Sequence, residues 1–210
     1  MGRSLLKSGT VPRPGQQSPA SAGGATPGGN YWLIDFEGRT AMDALECIVT
    51  RRSIRKYASK PVPAELVEEI MRAGMAAPSA NNEQPWHFVV IDDRAIMNDI
   101  PKFHPYSAML REAPLAVLVC GDTRLDRGGR MWPQDCAAAT QNMLLAAHAR
   151  GLGAVWLGVY PQEDRYLTLR EMLGMPEEVL PFALVALGYP EEKKPAAERF
   201  DPGRIHRNRW

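Results

Sequence analysis

Residues 114–120, Pro-Leu-Ala-Val-Leu-Val-Cys, form an apolar run with no polar interruption. A strand with one wet face alternates polar and apolar residues, so an unbroken run suits a strand covered on both faces. The run predicts an interior sheet with a layer packed on each side. Its surroundings supply the other strands and the layers. Trp86–Ile91 is rich in β-branched and aromatic residues and stops at Asp92 and Asp93, and residues 153–159 and 181–187 are further apolar strand segments. The Thr40 and Asp43 pattern opens a helix carrying Leu45, Ile48 and Val49. Pro63, Glu68 and Glu69 bracket a second helix with the stripe Leu66, Val67, Ile70 and Met71, ended before Pro78. Residues 134–150 read as a long Ala-rich helix closed by Gly151, and 163–173 as a helix stopped by Gly174. Weak helical pieces around Pro101 and Pro105 fill 94–112. Interleaved helices and apolar strands favour an α/β or α+β layer architecture, with strand direction left open.

A chain of 210 residues with 45% hydrophobic content can bury one sizeable core. Its 25 basic and 24 acidic residues leave a charge of +1, so no global field draws it to nucleic acid or to an anionic membrane. No apolar run reaches the roughly 18 residues that a membrane span needs. Cys47, Cys120 and Cys136 form no CxxC pair, and His87, His104, His148 and His206 have no metal-ligand spacing, so neither a disulfide framework nor a metal site is expected. A reducing cytoplasm fits. Residues 1–30, rich in Gly and Pro, are expected to be a disordered leader or extension, with order beginning near Tyr31 and a single domain over 31–210. Trp210, ending a polar tail, is expected to cross onto a second subunit.

Three constellations carry chemistry. Arg51, Arg52, Ser53, Arg55 and Lys56 crowd cations and a hydroxyl directly after the first helix. A phosphate would relieve the repulsion through bidentate guanidinium contacts, although a solvated basic turn at a helix end is an equal alternative. In the segment 78–86, Ser79, Asn81, Asn82 and Gln84 stand between Pro78 and Pro85. Amide side chains there suit a heterocycle edge or a polyol, or simply an Asx-rich turn. In 151–158, glycines flank Trp156, which marks a ligand against the main chain or tight packing.

Taken in order, Arg51-Arg52-Ser53-Ile54-Arg55, Pro78-Ser79 to Gln84-Pro85-Trp86, Gly151-Leu152-Gly153 to Trp156-Leu157-Gly158, and Asn208-Arg209-Trp210 resemble the nitroreductase family of flavoenzymes. The resemblance covers residues 40–210. It implies an α+β fold, an α/β/α sandwich with a four- or five-stranded, mainly antiparallel sheet, and a homodimer built through a long helix and exchanged termini. It implies FMN at the dimer interface and NADH or NADPH as reductant, with hydride passing through flavin N5 to an electron-poor acceptor such as a nitroaromatic or quinone. By the same resemblance Arg51, Arg52, Ser53 and Arg55 bind the FMN phosphate and the ribityl or pyrimidine side, and Arg199 is a further phosphate ligand, with Lys194 a weaker candidate. Pro78, Ser79 and Asn82, held by Gln84, reach the flavin bound mainly by the other subunit, and Trp156, Leu157 and Gly158 bring backbone to the isoalloxazine. No side chain acts as nucleophile or general base. His104 is a candidate for the acceptor pocket, and Tyr106, Met109, Trp132 and the loop 124–133 read as lid material. Dehalogenation or flavin fragmentation, or a flavin-binding redox sensor without turnover, are the rival expectations.

Overall fold

The computed structural model describes residues 42–210, so the expectations for 1–30 and for an onset of order at Tyr31 lie outside the described residues. Its elements are α1 (Ala44–Thr50), α2 (Ala64–Met75), β1 (Trp86–Ile91), α3 (Arg94–Asp99), β2 (Leu115–Asp122), α4 (Trp132–Ala149), β3 (Gly153–Gly158), α5 (Glu163–Met172) and β4 (Val179–Gly188). The strands form one sheet in the order β1-β2-β4-β3, and every neighbouring pair is antiparallel. This settles the strand direction that the sequence left open.

The central strand behaves as its apolar run demands, because all eight residues of β2 are buried. Alternation divides them between two cores. Leu115, Val117 and Val119 pack with Ile70 of α2 and Met143, Leu144 and Ala147 of α4. Ala116, Leu118 and Cys120 pack with Met97, Ile100, Leu110 and Leu169 on the opposite face. The layers are thus α2 and α4 on one side, and α3, the turns after it and α5 on the other. α2 can lie close against α4 because Gly74 has no side chain: a Cβ there would sit 2.9 Å from Met143 Cγ.

One irregularity shapes the end of the sheet. The β2–β4 register shifts after Val119, which pairs with Ala183, while Cys120 pairs with Pro181. Phe182 is the extra residue of this bulge, and it joins Ala183 on the α4 face. There its ring meets Trp132 and Trp156 edge-on, at 6.0 and 5.7 Å between centroids.

The first helix begins later than the Thr40 and Asp43 pattern suggests. Asp43 itself is the N-cap, accepting from the Leu45 and Glu46 amides at 2.9 and 3.2 Å, and Thr40 lies outside the described residues. α4 starts at Trp132, two residues before the expected Gln134. Trp132 is therefore not lid material. It is 5% exposed and packs against Tyr160 and Phe182.

Candidate active site

The basic segment after α1 is held along the free edge of β3. Ser53 forms a parallel bridge to Ala154, and the Ile54 amide donates to the Ala154 carbonyl at 3.0 Å. Gly153 makes this approach possible, since a Cβ on it would fall 2.7 Å from Ile54 Cγ2. The Tyr57 hydroxyl, buried, donates to the Ile54 carbonyl at 2.6 Å and reaches the Ala186 carbonyl at 3.2 Å. Glu192 accepts from the Arg55 amide at 2.5 Å, which with Lys194 nearby holds its carboxyl below the ordinary range. Lys194 donates to the Ser53 carbonyl at 2.7 Å and pairs with Glu192 at 3.1 Å, so its charge is already engaged.

With the backbone fixed, the guanidinium groups are left over. A cleft of about 370 Å³ is lined by Ile48, Val49, Arg51, Arg52 and Arg199, with Glu198 at its side. Arg51 Nε is buried and has no hydrogen-bond partner among the described residues. Burial, then Arg199, and further Arg52, push the Arg51 pKa down. Three guanidinium groups face a single carboxylate, Glu198, and one of them is partly desolvated, a cost that an anion would remove.

Arg55 points elsewhere. A second cleft of about 450 Å³ is lined by Arg55, by Trp156, Leu157 and Gly158 at the end of β3, and by Pro105, Tyr106, Ala108 and Met109. Tyr106 and Met109, expected as lid material, do wall this cleft. Beyond Gly158 the space is open, with none of the described residues within 4 Å of where a Cβ would stand. A flat ligand can come against the main chain there. His104 is not itself a lining residue: it is 1% exposed and lies behind the wall.

The 78–84 loop forms a third locus. Asn81, Asn82 and Gln84 all have positive φ, at 51°, 56° and 49°. Their conformation is held by local bonds: the Gln84 amide donates to Ser79 Oγ at 3.0 Å, and Gln84 Nε2 donates to Asn82 Oδ1 at 2.8 Å. Asn81, Asn82 and Glu83 line a cleft of about 350 Å³ with Leu125 and Arg127. Neither Pro78, Ser79, Asn82 nor Gln84 lines the clefts of Arg51 or Arg55 within one chain.

A residue that the sequence did not single out anchors this loop. Asp135, on the first turn of α4, accepts from the Ala80 amide at 3.0 Å, while its Oδ2 is buried without a partner among the described residues. Burial raises its pKa, helped by the nearby charges of Asp126 and Glu83. Asp135→Asn, which keeps an acceptor and drops the charge, is expected to melt at or above the wild-type temperature at neutral pH. Asp135→Ala orphans the Ala80 amide and should lose about 1–3 kcal/mol in urea unfolding. Equal losses in both variants would mean that the charge, not the acceptor, holds the loop.

The chain matches the sequence model of the Nitroreductase family over residues 48–108 and 101–189. It is 49% identical over 178 residues to a protein of Methanothermobacter thermautotrophicus provisionally named NADH dehydrogenase/NAD(P)H nitroreductase, a match covering 84% of this chain and 93% of that protein. A crystal structure from Parabacteroides distasonis, provisionally named in the same way, superposes with a TM-score of 0.77 at 41% identity, covering 79% of this chain and 98% of the other. A Desulfovibrio desulfuricans crystal structure, provisionally a nitroreductase in complex with FMN, gives a TM-score of 0.71 at 35% identity, covering 81% and 99%.

Proposed function

The chain belongs to the nitroreductase family of oxidoreductases, and from that premise we propose that it takes hydride from NADH or NADPH and delivers it, through FMN, to an electron-poor acceptor such as a nitroaromatic or quinone. The observation that carries the reading is the cleft where Arg51, Arg52 and Arg199 converge around a buried Nε that has no partner among the described residues. A phosphate monoester is the ligand whose charge and oxygen geometry answer that cluster. The residues fit FMN on a second ground too, because the open space beyond Gly158 accommodates a planar ring beside Trp156 and Leu157.

On this reading Arg51, Arg52, Ser53 and Arg199 hold the phosphate and ribityl side. Arg55 supplies positive charge beside the ring's pyrimidine edge, and Trp156, Leu157 and Gly158 present backbone to it. When bound, FMN would supply the redox chemistry of hydride exchange. The chain's own contribution is to bind, orient and shield, and no side chain need act as nucleophile or general base. Pro78, Ser79, Asn82 and Gln84 serve the site of a second copy, which is why one chain keeps them apart from Arg51 and Arg55. Dimerisation also accounts for the apolar surface of α1 and the tail: Leu45, Val49, Phe200, Ile205 and Trp210 are all more than half exposed. No helix among the described residues is long and apolar enough to cross a membrane. Three buried free thiols suit a reducing compartment, and the cytoplasm is the proposed location.

The deciding experiment is an absorbance spectrum of the purified protein supplied with FMN, followed by anaerobic titration with NADH and NADPH. Bound flavin bands that bleach with nicotinamide and recover on adding a quinone are expected. A protein that retains no flavin under these conditions would end the proposal.

A further inference from the structure

Two donors from separate segments of the chain meet on one carbonyl at the end of β3. His104 Nε2 lies 3.0 Å from the Gly158 oxygen, and Arg165 of α5 donates to the same oxygen at 2.9 Å. A carbonyl oxygen has two lone pairs and only accepts, so Nε2 carries the imidazole proton. That leaves Nδ1 as an acceptor, and the Tyr106 amide faces it at 3.4 Å. One tautomer of the neutral ring satisfies both contacts. Arg165 closes the circuit, with its guanidinium 5.5 Å from the centre of the Tyr106 ring. Tyr106 is 68% exposed and walls the cleft that Gly158 also lines.

We propose that His104 and Arg165 are positioning residues that share the Gly158 carbonyl and thereby fix the Tyr106 wall of the acceptor cleft against the end of β3. This rests on the reading that the cleft is where the acceptor reacts. His104 touches neither cofactor nor substrate: it is buried behind the wall, and it acts through Gly158 and Tyr106. The arrangement also makes the wall sensitive to acid. A second proton would place an N–H at Nδ1 against the Tyr106 N–H, and a new cation beside Arg165, with Asp164 the acidic group of α5 that bears on the ring. Burial, opposed by the Gly158 bond and aided by Arg165, lowers the ring's pKa. The folded chain therefore binds fewer protons here than the unfolded one. The clamp is intact above the ordinary histidine range and is lost, with its stabilisation, as pH falls below it.

The test compares His104→Leu, His104→Gln and Arg165→Met with the wild type, using NADH or NADPH, added FMN and 1,4-benzoquinone as acceptor. Removing the donor with Leu is expected to raise the KM for benzoquinone about tenfold, as loss of one buried hydrogen bond would, with little change in kcat or FMN affinity. The Leu variant should also lose the rise in KM that the wild type shows at acid pH. Gln, whose amide still donates, should recover most of the KM but not the pH dependence. Arg165→Met should shift KM in the same direction, and it carries the comparison if the Leu variant fails to fold. Independently of turnover, nitrogen NMR of the flavin-free chain should show His104 protonated at Nε2 and bare at Nδ1 near pH 7.5. A proton at Nδ1, or variants with wild-type KM and pH profile, would overturn the clamp. If the wild type neither binds FMN nor consumes nicotinamide, the oxidoreductase reading fails instead, and the NMR result still decides whether the clamp exists.

Discussion

Replacing Arg51 and Arg52 together by alanine is expected to weaken FMN binding by at least about a hundredfold, since hydrogen bonds to charged groups contribute about 1.5–3 kcal/mol each. The same variant should leave the flavin-free chain as stable as before, or more stable. The two signs have one cause. Without a ligand, Arg51 is held partly out of water with Arg52 and Arg199 near it, and its Nε has no partner among the described residues, so the cluster costs the fold free energy. With a phosphate present, the same groups become its binding energy. Quenching of flavin fluorescence reads the affinity. Thermal melts with and without FMN read the stability, and the FMN-induced rise in melting temperature should vanish in the variant. A purely structural basic turn would behave in the opposite way: the melting temperature would fall and the affinity would stay.

The basic cluster was legible in the sequence because its signal is local: several cations within a few positions after a helix need a reason wherever they occur. The sheet was legible for a similar reason. The unbroken run in β2 suits a strand covered twice, and the bounds of β1 follow from two aspartates after an aromatic and β-branched stretch. What stayed hidden depends on pairs distant in the chain. Asp135 meets Ala80 across 55 residues, and His104 meets Gly158 across 54. A buried aspartate in a helix and a histidine between Phe103 and Pro105 carry no spacing that reveals such partners. Trp132 misled for a more specific reason: an aromatic at the end of a Gly-containing, core-poor segment resembles a lid. Gly121 on β2, whose missing side chain leaves room for the indole, lets that ring lie inside.

That contact yields the second large effect, because Gly121→Ala should destabilise the fold more than its single methyl suggests. A Cβ on Gly121 would stand 2.2 Å from Trp132 Cε3 and 2.9 Å from Cδ2 and Cζ3, far inside van der Waals contact. Neither side can yield easily. Gly121 is fixed between Trp86 of β1 and Leu180 of β4, and the indole is wedged against Tyr160 at 4.8 Å and Phe182 at 6.0 Å. Overpacking a core of this kind costs about 3 kcal/mol, which in a chain of this size lowers the melting temperature by about 6–12 °C. If the clash is the cause, shrinking the partner relieves it. Trp132→Ala alone leaves a cavity and should lose about 3–5 kcal/mol, but the double variant should lose clearly less than the sum of the two. Additive losses would place the strain elsewhere. The effect should also travel toward the candidate site, since Trp132 opens α4 and Asp135, three residues on, holds the Ala80 amide. Gly121→Ala is therefore expected to loosen the 79–84 loop and weaken FMN retention together with stability, whereas Asp135→Ala disturbs the loop alone and leaves the indole packed.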